Sequence, residues 1–548
     1  MRARSSFLLA GLSGVLLLLS LPPFKFGGVL AWFAFVPLLL AIYYQAVLKR
    51  RDRLVSVATV GGFLFLVWLP WLFADYIKII TMFWPEAPIT VFRVIIFVLG
   101  IPYILYSTKD VYGGYIDTWG FWKPKHFPSK DLQYLPLGLQ LVVLPLVWTA
   151  CEFLFMNIPG LMRIGQFVGF FTLAKTQYWN PPIMQLASFA GIYGITFLIL
   201  LVNCAITYAI IRYREAKRIF TPAIAIVCVV LAFFFYGLAT IPAETEGDVT
   251  VAVIQVPPAE GQDTSTLYAN LSETALKYDP QIIVWPGIMF DEFSFNPLFV
   301  DRFVDFSSKH NVYLTGWMGE MEKMEFGYGV VSPDGSIAMD NFGYHFASIP
   351  NYIMNRDVKG LFFPQVHSLP AGLGRIGVLD CMESGGTLPA RHRIKEGAQL
   401  LIVPTGGPNN YLFSWGLGTN AIYRAVENRM FAIEVIGDDD SSLIVDPYGR
   451  IVKDTAKEPE IVVGKVSFTD QRTLYTKFGE VFGWTVVVLA AAVVSYNFYL
   501  DRKSSFKVCT NKNCMAEISQ DAKTCDKCGA KQRKGRIWRK ILWVIFKP

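Results

Sequence analysis

Apolar positions in the first 240 residues fall in long unbroken runs rather than in alternation, and short basic breaks separate the runs. The segments 5–23, 27–47, 54–75, 88–107, 136–156, 183–211, 219–241 and 478–500 each approach the length an α-helix needs to cross a bilayer. They predict a polytopic α-helical membrane protein of about eight spans. The N-terminal "MRARSSFLLAGLSGVLLLLS" has the basic start and apolar run of a signal peptide, yet no small-residue cleavage site follows and a second span begins at once. It is read as a retained helix.

Between the seventh and eighth runs the pattern changes to that of a soluble α/β domain. "VTVAVIQVPP" (249–258) reads as a β-branched strand, "TSTLYANLSETALKYDP" (264–280) as a helix and "IIVWP" (282–286) as a strand. Helix then strand follow at 304–318, and "GYGVVSPDGSI" (327–337) turns at Asp334-Gly335. Strands are predicted in "GRIGVLDCMES" (374–384), ending at Cys381, and in "QLLIVPTGG" (399–407); helix into strand at 419–437 and a hairpin at 441–452 close the domain. Such alternation predicts layered sheets with helices.

Composition agrees: 53% of the 548 residues are hydrophobic and 17% are charged. The net charge of +7 sits mostly in loops and tail, so it does not argue for nucleic acid. Arg2 and Arg4, "KRRDR" (49–53) and "RYREAKR" (212–218) fall on one side of an eight-span topology. Positive loops stay cytoplasmic, which places the α/β domain outside the cytoplasm of a plasma-membrane protein and returns the C-terminal tail inside.

The predicted organisation is therefore a seven-helix membrane domain (1–246), an extracytoplasmic α/β domain (247–470), a final transmembrane helix (476–501), a cytoplasmic ribbon (505–532) and a basic amphipathic tail (533–548). Cys509, Cys514, Cys525 and Cys528 form two close pairs in the ribbon, a donor set that suits tetrahedral structural Zn²⁺. The tail "KQRKGRIWRKILWVIFKP" (531–548) suits an interfacial helix on anionic lipid or a helix for an unidentified partner. Cys151, Cys204 and Cys228 lie in apolar runs as small buried hydrophobes, and Cys381 stands alone at the end of its strand.

Seven spans, an α/β domain with strands ending in "WPG" and "LDCMES", and one closing span resemble the apolipoprotein N-acyltransferase family, the membrane branch of the nitrilase (carbon-nitrogen hydrolase) superfamily. "LSLPPFKFGGVLAWFAFVPLL" (19–39), "VWTACEFLF" (147–155) and "IMQLASFAGIYGITFLILLVN" (183–203) are similar to its first hairpin, fifth span and sixth span. The resemblance covers about residues 1–500 and leaves the ribbon outside it. It implies a nitrilase-like sandwich and a Cys, Lys and Glu triad. The thiolate takes an acyl chain from phospholipid, and the thioester then passes it to a lipoprotein N-terminal amine, with no cofactor for the chemistry. A thiol of pKa ~8.5 needs a base, and the tetrahedral oxyanion needs a positive donor.

Carried over residue by residue, Cys381 falls on the nucleophile and Glu383 on the acid two residues beyond it, while Met382 replaces an aromatic. Arg424 and Glu427 match an Arg-Ala-x-Glu helix, where Glu427 braces the helix rather than reacts. Two residues compete for the lysine role: Lys359 in "VKGLFFP" by local pattern, and His345 in "GYHFASIP" by distance along the chain. Where the family places its general-base Glu, directly after Trp285-Pro286, this chain has Gly287. Asp291 and Glu292 follow as loop acids, and "GDDDSS" (437–442) replaces a Thr-Asn-rich stretch. Three functions stay open: an N-acyltransferase with a divergent triad, a catalytically impaired membrane binding or signalling protein, and a nitrilase-type amidase.

Overall fold

The computed structural model describes residues 3–47 apart from 23 and 25, 137–157, 172–216, 221–255 apart from 246, 264–286, 297–320, 325–341, 367–369, 373–379, 383–405, 411–436, 442–454, 461–503, 506–508, 517–519 and 524–531. The runs predicted as spans three and four lie outside these residues, as do the tail 533–548, Gly287, Asp291, Glu292, His345, Lys359, Cys381, Met382, Cys509, Cys514 and the aspartates 438–440. The chain divides into two compact units, residues 1–104 with 138–490, and residues 105–137 with 491–548.

The other apolar runs are helical: α1 (Ala3–Ser20), α2 (Val36–Val47), α3 (Leu137–Asn157), α4 (Ala187–Ala216), α5 (Thr221–Thr240) and, after the α/β domain, α11 (Val481–Lys503). Among the described residues two stretches are long and apolar enough to cross a membrane, Ala187–Ile211 and Thr221–Thr240. The first is mostly packed inside the protein, whereas α5 turns nearly all its surface outward, with Ile224, Phe235 and Leu238 about half exposed or more. Apolar exposure on that scale marks a surface that meets another apolar phase.

Polar side chains inside the helix cluster satisfy backbone groups that the irregular segments leave open. Asn203 accepts from Phe35 N at 2.9 Å and donates to Ala31 O, tying the broken first hairpin to α4. Glu152 on α3 accepts from Trp148 Nε1, Thr196 Oγ1 and Leu173 N, so one carboxyl joins α3, α4 and the 3₁₀ turn Leu173–Gln177. Where water is scarce each such group would otherwise be costly.

In the α/β domain two six-stranded sheets face each other. The first runs β12-β1-β2-β3-β4-β5, formed by β1 (Val249–Ile254), β2 (Ile282–Val284), β3 (Tyr313–Glu320), β4 (Glu325–Val331), β5 (Ile337–Asn341) and β12 (Ile461–Val466). The second runs β11-β10-β9-β8-β7-β6, formed by β6 (His367–Leu369), β7 (Gly374–Val378), β8 (Leu400–Thr405), β9 (Ala432–Ile436), β10 (Leu443–Val445) and β11 (Ile451–Asp454). The two share one plan. Three consecutive strands are parallel, a two-strand meander extends one side, and a single antiparallel strand flanks the other.

The crossovers are α6 (Thr264–Ala275) and α7 (Pro297–His310) in the first sheet, α8 (Thr387–Lys395) and α9 (Tyr411–Asn428) in the second. Strand alternation sorts the layers: Val249, Val251 and Val253 of β1 pack with Ile433 and Val435 of β9 between the sheets, while Ala252 and Ile254 face α6 and α7. Ala432 of β9 faces the other way, into a cluster where α8 and α9 pack against the membrane-type helices α1, α3 and α4. The domain is thus a helix-sheet-sheet-helix sandwich with one outer layer buried on the helix cluster.

In the second unit, β13 (Phe506–Val508) and β14 (Glu517–Ser519) pair antiparallel, and Thr524 bridges Lys531.

Candidate functional site

Open α/β sheets bind ligands beyond the carboxyl ends of their parallel strands. Both sheets bring those ends to one place. Gln255, just after β1, accepts from Ser442 N at 3.0 Å, and Ser442 Oγ accepts from Ile436 N at the end of β9. β2, β7 and β8 also end at this edge, and along the chain they are followed by residues 287–296, 380–382 and 406–410. Gly287 and Cys381 belong to the first two.

The strand that leads to Gly287 is held rigidly. Trp285 donates its backbone N–H to Thr315 O at 2.8 Å and its indole N–H to Ser272 Oγ at 3.0 Å, while its carbonyl accepts from Tyr328 OH at 2.9 Å. Its ring lies edge-on to Phe303, and Pro286 beyond it is buried. Trp285 and Pro286, which precede Gly287 in the chain, are therefore well anchored.

The strand that leads to Cys381 is equally fixed. Leu379 N donates to Ile402 O at 2.9 Å, and further along the chain Glu383–Gly385 forms a 3₁₀ turn. Asn420 on α9 donates to Ser384 Oγ at 3.2 Å, and Thr387 at the start of α8 donates to Glu480.

A buried charged cluster lies behind this edge, and the sequence reading found only part of it. Arg424 and Glu427 of α9 form an ion pair at 3.1 Å, and Glu427 Oε1 accepts from Ile192 N at 2.9 Å. Gly191 just before has φ 63° and ψ −176°, so the helix proper starts at Ile192 and Glu427 caps it from another element. Burial pushes the Glu427 carboxyl up to about 7, with Arg424 opposing.

Glu434 of β9 is wholly buried on the face toward α9, near Thr405 Oγ1 at 3.4 Å. Burial raises it to about 8, against the pull of Thr405 and Lys175. Lys175, in the 3₁₀ turn beside the helix cluster, is held well below the usual lysine range by burial and then by Arg424. The clue to Glu434 was a lone carboxylate inside the apolar run "FAIEVI"; Lys175 left no pattern to find. In the sheet Glu434 pairs with Val403 of β8, and β8 separates it from β7. Two strand spacings, roughly 10 Å, keep its carboxyl from direct proton transfer at the end of β7.

In the ribbon unit, Cys525 is buried and Cys528 exposed on one tight turn. Gly529 at φ 67° lets its N–H return to Cys525 O at 2.8 Å, while Cys525 N donates to Ala530 O at 2.9 Å. This turn holds two thiols three residues apart, a Cys-x-x-Cys spacing that fits half of a tetrahedral zinc site.

Residues 13–205 match the family model for the apolipoprotein N-acyltransferase N-terminal domain. The chain is 26% identical over 541 residues to an apolipoprotein N-acyltransferase of Geobacter metallireducens, covering 90% of this chain and 96% of that one. With the apolipoprotein N-acyltransferase of Thermotoga maritima the identity is 23%, covering 90% and 94%. Among solved structures, an amidase from Nesterenkonia sp. matches 41% of this chain and 93% of its own at 17% identity, with a TM-score of 0.34.

Proposed function

We propose that this chain, similar to apolipoprotein N-acyltransferases along nine-tenths of its length, is a membrane acyltransferase that passes an acyl group from a phospholipid to the N-terminal amine of a lipoprotein. The observation that carries the reading is its span. Similarity runs through the helix cluster and the α/β domain together and takes in 96% of the Geobacter relative, so the membrane part and the sandwich are matched as one unit.

The chemistry assigned to the site is two-step. Cys381 thiolate attacks the ester carbonyl of the phospholipid; the carbon–sulfur bond forms, the carbon–oxygen bond breaks, and the lysophospholipid hydroxyl leaves with a proton. The lipoprotein amine then attacks the thioester, the carbon–nitrogen bond forms, and the thiolate departs while the amine gives up a proton. Lys359 would hold the oxyanion, with His345 as the competing candidate and as a base, and Glu383 beside the nucleophile. A membrane location fits the outward apolar surface of α5. The α/β domain lies outside the cytoplasm in this reading, and Cys509, Cys514, Cys525 and Cys528 bind a structural Zn²⁺ in the cytoplasmic ribbon.

The test is direct. Incubation with phospholipid should leave Cys381 carrying a hydroxylamine-sensitive acyl group by mass spectrometry, absent in Cys381→Ala. Because Gly287 can neither accept nor donate a side-chain proton, Gly287→Glu should raise thioester formation. The same glycine favours one second reading, a binding or signalling relative that keeps the fold. No acyl adduct in either the native chain or Gly287→Glu would select it.

A further inference from the structure

The helix α11 begins beside a groove. A cavity of about 600 Å³ lies among α3, α8, the short helix α10 (Leu474–Phe478) and α11, within the size range of small-ligand sites. Its wall is apolar: Leu388, Phe478, Trp484, Val488 and Leu489 line it. Phe478 is 67% and Val488 64% exposed, large apolar surfaces that water would not favour. Trp484 stands in the first turn of α11, the depth at which amphipathic rings meet lipid headgroups.

The end of the groove next to α8 and α10 is polar and carries both signs of charge. Arg391 of α8 donates Nε to Thr476 O at 2.9 Å and Nη2 to Lys477 O at 3.2 Å, which leaves Nη1 without an acceptor among the described residues. Its guanidinium lies flat over Gly479, where an added Cβ would come within 2.5 Å of Cζ. Glu480 accepts at Oε1 from Thr387 and from Tyr475 OH, while its Oε2 has no donor among the described residues although the side chain is 8% exposed. Asn157 Oδ1 is in the same position. One cationic donor next to two unpaired acceptors complements a headgroup with a phosphate and a hydrogen-bearing ammonium.

We propose that this groove is the seat of a single non-reacting phosphatidylethanolamine-type phospholipid, its phosphate on Arg391, its ammonium on Glu480 and one acyl chain along α11. A zwitterionic lipid satisfies Arg391 and Glu480 at once, whereas a purely anionic headgroup satisfies only the first. A choline headgroup carries no N–H for Glu480. The lipid would fasten the start of the final span to α8, the helix that follows the nucleophile segment. The proposal rests on the membrane reading of the chain and is independent of acyl transfer.

Native mass spectrometry of the full-length Cys381→Ala chain in detergent, with added phosphatidylethanolamine, phosphatidylcholine or phosphatidylglycerol, tests it. This variant forms no thioester, so retained lipid is non-covalent and a failed acyl-transfer assay leaves the result intact. One phosphatidylethanolamine should remain bound in preference to the other two. Arg391→Ala should weaken it about tenfold, as loss of one charge-assisted contact does, and Glu480→Gln should erase the preference over phosphatidylcholine. Because Arg391 also caps α10, Leu388→Trp serves as a second variant that fills the groove and leaves the polar end untouched; it too should release the lipid. Equal retention of all three lipids, or full retention in Leu388→Trp, would overturn the proposal.

Discussion

Gly191→Ala isolates a single junction between the helix cluster and the α/β domain. Gly191 sits at φ 63° and ψ −176°, a region that residues with a side chain enter at a cost of about 1–3 kcal/mol. A Cβ there would lie 2.9 Å from Tyr475 Cε2 and 3.2 Å from Cδ2, well inside ordinary carbon contact. Tyr475 has no room to yield, because it is 1% exposed and its hydroxyl is held by Glu480 at 2.5 Å. Overpacking of this kind adds about 1–3 kcal/mol, so the substitution should cost roughly 2–6 kcal/mol. Gly335→Ala separates the two contributions. It shares a positive φ, 82°, but its Cβ would meet only Val304 Cγ1 at 3.5 Å, so strain of about 1–2 kcal/mol is all it should cost. The assay is the temperature at which half of the detergent-purified protein is lost from the monodisperse peak after heating. Gly191→Ala should fall clearly below Gly335→Ala; equal midpoints, or the reverse order, would refute the packing argument.

Glu427→Leu leaves Arg424 buried without its partner and removes the cap on Ile192 N. It should destabilise by about 3–5 kcal/mol, and Arg424→Met in the same chain should restore ~1–3 kcal/mol in a double-mutant cycle; additive losses would deny the coupling. The Glu434 carboxyl, raised to about 8, favours its protonated form in the folded chain, so its contribution is intact below the ordinary carboxylate range and is lost as pH climbs toward 8. Glu434→Gln should therefore flatten the decline in thermal midpoint between pH 5 and 8.5, and an unchanged slope would count against a buried carboxyl there. Cys528→Ser should lower zinc, measured by elemental analysis of the purified chain, from about one per chain toward zero. Retained zinc would remove Cys528 from the site.

Periodicity made the helices and most strands legible because both signals are local. The turn at Asp334-Gly335 was readable from two residues, and Ser336 N indeed donates to Asp334 Oδ1 at 2.9 Å. β12 was missed as an element of the domain. "IVVGKV" is short, and its place beside β1 depends on a partner more than 200 residues away. Likewise the pair Arg424 and Glu427 could be seen on one helix face, whereas the bond from Glu427 to Ile192 could not. The candidate chemistry divides in the same way. "WPG" and "LDCMES" are visible as words in the chain, but a buried Glu434 beside Lys175 requires three elements to be folded first.

The pairing of Val249 with Val466 has an evolutionary consequence. The first and last strands of the sandwich lie side by side and run in opposite directions, so the domain's entry and exit are a strand's width apart. A domain with adjoining ends can be spliced between two neighbouring helices without prising them apart. Only the short links from Thr240 to Val249 and from Val466 to Leu474 had to be made. The packing of α8 and α9 on the helix cluster then fixes such a domain against the helices that flank it.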